Sequence, residues 1–228
     1  MNIDAPGFQG ISAAQRHAGL TVLRQIEAEH ACLLASQEQV TPQCLSVTEC
    51  ASGDKGWGGF EIDDEGSPAL STSLLVNGHP VAQLLSKRHA VVRGAESDGH
   101  GIRATRRDPA LPRFGRLRTE PSDVGPDSVL NDIPNGVFVH SVSSGEVNSR
   151  PERVVLRIRE SQDIEHGRCT TSRRGGVIAL DAASAFVNLV AVGSDFTWFY
   201  TLCRKRGQDI PVADGAPSFC FSTLKVSM

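Results

Sequence analysis

Four side chains in the first half of this chain could together break a peptide bond: Gln25, Cys32, His89 and Asp108. A thiol is a useful nucleophile when its thiolate is stabilised, most simply at the first turn of a helix that faces an imidazole able to become imidazolium. Cys32 opens CLLASQEQV, a run of helix formers with no breaker before Pro42, so the positive end of the helix dipole would bear on its sulfur. Gln25, seven residues upstream, would donate an N–H to the oxyanion of a tetrahedral intermediate. His89 would act as base and Asp108 as the group that orients its ring. His30, two positions from Cys32 on the same helix, points elsewhere and reads as a surface or cap residue.

Such chemistry needs a helix and a sheet to hold its parts. Residues 1–12 read as a polar lead-in, and the segment from Ala13 places Leu20, Leu23, Ile26, Ala31, Leu34 and Ala35 near helical spacing. Gly19, Thr21 and Val22 leave open an extended entry followed by a helix from about residue 29. Residues 51–69 have loop composition with Trp57 and Phe60 as anchors; Trp57, beside Gly58 and Gly59, either lines a cleft or only pins the loop. HPVAQLL, HAVVRGA and GIRATRR read as neighbouring antiparallel strands, which would bring Asp108 beside His89. EPSDVGPDSVLNDIPNG marks a boundary between a region 13–125 and a β-rich region 126–228, the latter its own module or an extension of the same sheet. Its strand candidates are GVFVHSV, RVVLRIRE, GGVIAL, AFVNLVAV, FTWFYTLC and FCFSTLKV. The aromatic cluster Phe196, Trp198, Phe199 and Tyr200 reads as core. The expected class is α+β: a nucleophile helix packed on an antiparallel β-sheet, with a β-rich C-terminal half.

Composition narrows the partners. The 228 residues carry a net charge of −3, which gives no general field towards nucleic acid or anionic lipid. A protein or peptide substrate is expected, with no membrane partner, since no stretch approaches the roughly 18 consecutive apolar residues that span a bilayer. No basic-then-apolar leader opens the chain, so a cytoplasmic protein, or one exported without a cleaved signal, is expected. Arg88, Arg93, Arg103, Arg106, Arg107, Arg113, Arg116 and Arg118 make the middle of the chain basic; they read as a solvated strand face, with a groove for an acidic peptide or nucleic acid as the lesser reading. Six cysteines, none in a C-x-x-C pair, imply neither a structural metal nor any other cofactor. A disulfide between Cys44 and Cys50 would rest on proximity alone.

VLRQIEAEHACLLASQEQVTPQC and NGHPVAQLLSKRHAVVRGAESDGHGIRATRRDPALPRFG resemble the papain-like cysteine peptidases of bacteria, in particular the group holding bacteriocin-leader-processing domains and a plant-pathogen effector protease. The likeness covers residues 19–115. It lies in a Gln before a Cys-led helix, a Gly-x-Pro-V turn, the strand-like run HAVVRG and an Asp-Pro after the next strand, although Leu33 stands where the family carries an aromatic residue. The resemblance implies a papain-like fold and a thiol protease with Cys32 as nucleophile, His89 as base, Asp108 as orienter and Gln25 at the oxyanion. The alternative is an inactive scaffold of that kind serving as a protein-binding module.

Overall fold

Alternation of apolar and polar side chains runs through most of the chain, and strands follow from it. The computed structural model describes residues 9–10, 44–51, 56–149, 152–181, 188–222 and 225–227. Gln25 and Cys32, with the helix expected to carry them, lie outside the described residues. In chain order the elements are β1 (Gln9–Gly10), β2 (Val47–Glu49), β3 (Thr72–Val76), β4 (His79–Pro80), α1 (Lys87–Arg93), β5 (Gly101–Ile102), β6 (Leu111–Pro112), β7 (Arg116–Thr119) and α2 (Pro126–Asn131). They continue with β8 (Asn135–Ser149), β9 (Glu152–Glu165), β10 (Arg168–Arg174), β11 (Val177–Asp181), β12 (Leu189–Val192), β13 (Thr197–Lys205), β14 (Gln208–Ala216), β15 (Phe219–Phe221) and β16 (Lys225–Ser227).

Three sheets dominate. A six-stranded sheet runs β13-β14-β7-β2-β3-β4, antiparallel except for the parallel pair β14/β7. In the second sheet β8 pairs with β9 along its length, while the other side of β9 is shared by β11 and then β10; β16 completes that sheet beyond β11. The third runs β1-β15-β12. One buried cluster spans them: Leu45, Val47, Leu75 and Leu117 from the first half pack with Leu156, Ile178, Val212 and Phe219 from the second. The parallel β14/β7 pair carries the six-stranded sheet across residue 125.

The expected helix-on-sheet architecture is therefore corrected. Among the described residues helix is confined to two short segments, and the remainder is largely strand. HAVVRGA is not a strand: Lys87–Arg93 is α1, entered from extended Ser86 and stopped by Gly94 in the left-handed conformation, φ 63°, whose N–H reaches back to Ala90 O and Val91 O. Val91 and Val92 favour a strand by propensity, but the glycine stop signal beside them prevails. HPVAQLL keeps only the two residues of β4, and GIRATRR only the two of β5. In the second half the six candidate runs all contain strand, whereas β10 and β14 were not anticipated. Pro211 and the run of small residues Ala213-Asp214-Gly215-Ala216 hid β14. Cys44 and Cys50 are free thiols, and the Cys50 S–H donates to Arg116 O.

Candidate functional site

His89 lies on α1, half-buried, with Nδ1 2.7 Å from Ser86 Oγ. Asp108 closes a local turn instead, its Oδ2 accepting from Thr105 N at 3.0 Å and Thr105 Oγ1 at 2.7 Å. No hydrogen bond or ion pair joins the two. The helix turns His89 towards the β13–β14 turn: burial lowers its pKa first, and the charges of Lys205, Arg88, Arg206 and Arg93 lower it further.

A fully buried pair of charged side chains, Glu49 and His100, was not anticipated. Glu49 ends β2 with its carboxylate out of water; Oε1 accepts from Gly115 N and Arg116 N at 2.9 and 3.1 Å, and Oε2 from Ala51 N at 3.1 Å. The ring of His100, also fully buried, donates from Nε2 to Glu49 Oε2 at 2.7 Å. Its Nδ1 lies 3.0 Å from Asp98 Oδ1, an ion-pair contact whose N–H is not aligned for a hydrogen bond. Burial alone favours the neutral imidazole; contacts with Asp98 and Glu49 outweigh it and push the pKa up to about 10. The charged form of His100, an imidazolium between two carboxylates, is therefore favoured. Its work is to tie the loop before β5 to the centre of the six-stranded sheet. No local sequence signal announces the pair, which joins residues 51 apart.

On one face of the six-stranded sheet, arginine and tryptophan stack. Arg116, expected on a solvated face, is 6% exposed, with its guanidinium carbon 4.3 Å from the centre of the Trp198 ring. Its Nη1 donates to Trp57 O at 3.4 Å, and Arg118 lies over Phe196. Phe196 meets Trp198 edge-to-face, 5.2 Å between centroids. Trp57 donates from Nε1 to Thr201 O, so the loop it anchors closes against β13. Arg113 is likewise buried, held by Gln208 O and Cys203 O. The aromatic segment expected as core is therefore a sheet edge, and Tyr200 stands 59% exposed.

Along that edge the backbone is open. β13 ends its sheet, and among the described residues no strand pairs with its outer side. Leu202 faces Pro211, which has no N–H, so this is a non-hydrogen-bonded pair. In such a pair both residues turn their N–H and C=O groups away from each other. Leu202 therefore presents its main chain outward, and Tyr200 and Arg204, two residues to either side, do the same. Tyr200 and Leu202 are the exposed side chains beside these groups.

Sequence comparison places the chain. A profile described as the PmbA/TldA metallopeptidase C-terminal domain matches residues 13–228. The chain belongs to that family. It is 30% identical over 180 residues to a metalloprotease of Methanothermobacter thermautotrophicus, covering 79% of this chain and 39% of that protein. With the metalloprotease TldD homolog of Haemophilus influenzae it shares 23% over 191 residues, 83% of this chain and 40% of that protein. The crystal structure of TldE from Thermococcus kodakarensis superimposes with a TM-score of 0.74 at 17% identity, over 97% of this chain and 50% of that one, a likeness of fold. The chain thus spans about two fifths of the length of the curated relatives it matches.

Membership of the PmbA/TldA family overturns the papain-like resemblance, and with it the cysteine-peptidase reading and the inactive papain-like scaffold. The motifs that carried the resemblance fall on structures unlike those it implied: His89 on a helix, Asp108 in a turn of its own. A metallopeptidase family implies a metal ion. Among the described residues no set of three or more His, Cys, Asp or Glu side chains could hold one. The described residues do not by themselves fit a metal, and no helix among them is long and apolar enough to cross a membrane.

Proposed function

We propose that this chain acts as the C-terminal domain of a metallopeptidase, and that its part is to seat a peptide substrate in extended form along β13. What carries the reading is the open main chain of Tyr200, Leu202 and Arg204 at the end of the six-stranded sheet. An extended peptide added there would gain main-chain hydrogen bonds with little regard to its sequence, while Tyr200 and Leu202 contact alternate side chains. The Arg116–Trp198 stack and the Trp57–Thr201 bond hold the edge rigid from one face. The metalloprotease names of the relatives support peptide hydrolysis as the reaction. The hydrolytic chemistry of a metallopeptidase comes from its metal; in this reading the ligands include residues outside those described, and the described residues supply the seat.

A Leu202→Pro variant tests the seat, because the N–H it removes is not used within the sheet. Binding of a fluorescently labelled extended peptide is expected to weaken about tenfold, the scale of a lost main-chain hydrogen bond with its neighbours disturbed, while the melting temperature holds. Equal binding by Leu202→Pro and the unaltered chain would exclude β13 as the seat.

A further inference from the structure

Away from the open edge of β13, three elements bring unneutralised cations together. Gln208, at the start of β14, accepts from Ala104 N through Oε1 and donates from Nε2 to Pro109 O, which docks the loop 103–109 against the β13–β14 turn. From the third side α1 joins them: Lys87 N, at its first residue, donates to Glu65 Oε2 at 2.7 Å, and the neighbouring Asp64 Oδ2 accepts from Arg103 N at the head of the loop at 2.9 Å. Arg88 on α1, Arg106 and Arg107 on the loop and Arg206 on the turn are all exposed, and among the described residues their side chains make no hydrogen bond or ion pair. Arg103, Arg118, Arg173 and Arg204 each sit against a carboxylate. The turn cannot easily withdraw its charge: Arg206 and Gly207 hold φ of 50° and 79° between the paired residues Lys205 and Gln208, a tight two-residue hairpin.

The same surface is apolar at its helical side. Val91 and Val92 are 80% and 82% exposed, three and four residues after Arg88 and so on its face of the helix. Two fully presented valines on a helix of seven residues bury nothing within this fold, where Ala90 is the residue α1 turns inward. Apolar side chains ringed by arginines are the composition of a protein interface. A nucleic-acid site would ask instead for rings to stack bases, and this helix face has none.

We propose that α1, the loop 103–109 and the β13–β14 turn form a docking surface for an acidic protein segment that carries apolar side chains. Carboxylates of the partner complement Arg88, Arg106, Arg107 and Arg206, and its apolar groups cover Val91 and Val92. The surface needs no metal and shares no residue with the open main chain of Tyr200 and Leu202, so it stands or falls apart from the peptidase reading.

The test uses the whole chain and a fluorescent peptide of glutamates and leucines. Binding is expected to weaken at least about tenfold in Arg88→Glu/Arg206→Glu and to stay unchanged in the charge-matched control Arg168→Glu/Arg174→Glu, whose exposed arginines lie on β10. Raising salt from about 50 to about 200 mM is expected to weaken it markedly. Val91→Ser/Val92→Ser is expected to lower affinity without changing that salt dependence. Equal loss in both arginine pairs would overturn the proposal, as would displacement of the peptide by an equimolar single-stranded oligonucleotide. Since Arg88 and Arg206 have no hydrogen-bond or ion-pair partner among the described residues, a circular dichroism spectrum like that of the unaltered chain is expected for the arginine variants.

Discussion

At the scale of single residues, the chain's chemistry lies where charge is buried rather than where nucleophiles are spaced. His100 ties Asp98 to the buried Glu49, so removing its ring leaves the Glu49 carboxylate with main-chain donors but no counter-ion. His100→Ala is expected to cost about 3–5 kcal/mol, read as a fall in the urea midpoint. The folded pKa of about 10 stands above the ordinary 6.5, so this stabilisation is full below pH 6.5 and is lost as pH rises through about 10. The stability gap between the parent and His100→Ala should accordingly narrow from neutral to alkaline pH; a gap constant across that range would contradict the imidazolium. His89 is the opposite case, half-buried among cations. Its ring protons should titrate by NMR below the ordinary histidine value, and Arg206→Glu should move that titration upward. Neither environment was legible in sequence, because each ring also meets groups from a distant segment: Glu49 is 51 residues from His100, and Lys205 and Arg206 belong to the turn beyond β13.

At the scale of elements, alternation was a sound guide where strands are long. RVVLRIRE and FTWFYTLC are strands because β-branched and aromatic residues alternate over enough length to commit the backbone. Short runs deceived: HAVVRGA has strand composition, yet Gly94 closes it as a helix, and β14 is a strand despite Pro211 and Gly215. Small residues in β14 are required by what lies over them, since a Cβ on Gly215 would fall 2.3 Å from the Phe196 ring. Gly58 meets a similar demand where the Trp57 loop crosses β7 and β14. It holds φ +79°, and a Cβ there would come within 2.3 Å of Gly115 O and 2.9 Å of Ala213 N, both main-chain atoms. Gly58→Ala should therefore destabilise by about 2 kcal/mol or more, visible as a melting temperature lower by several degrees. An unchanged melting temperature would mean the loop does not press on the sheet as described.

At the scale of the whole molecule, resemblance in short motifs pointed to a thiol protease, while the likeness across residues 13–228 places the chain among metallopeptidase C-terminal domains. A Gly-x-Pro-V turn, the run HAVVRG and an Asp-Pro pair are each common local solutions, and here they sit on a hairpin, a helix and a turn. No local pattern announces the long-range pairing that joins β7 to β14 or the single buried cluster that holds both Leu45 and Phe219. The two chemistries part cleanly in solution. Hydrolysis of an unstructured peptide should be measured after chelation, after restoring zinc, and in Cys32→Ala. Loss of cleavage on chelation with recovery on zinc is the outcome expected of a metallopeptidase; cleavage that survives chelation and vanishes in Cys32→Ala would contradict it.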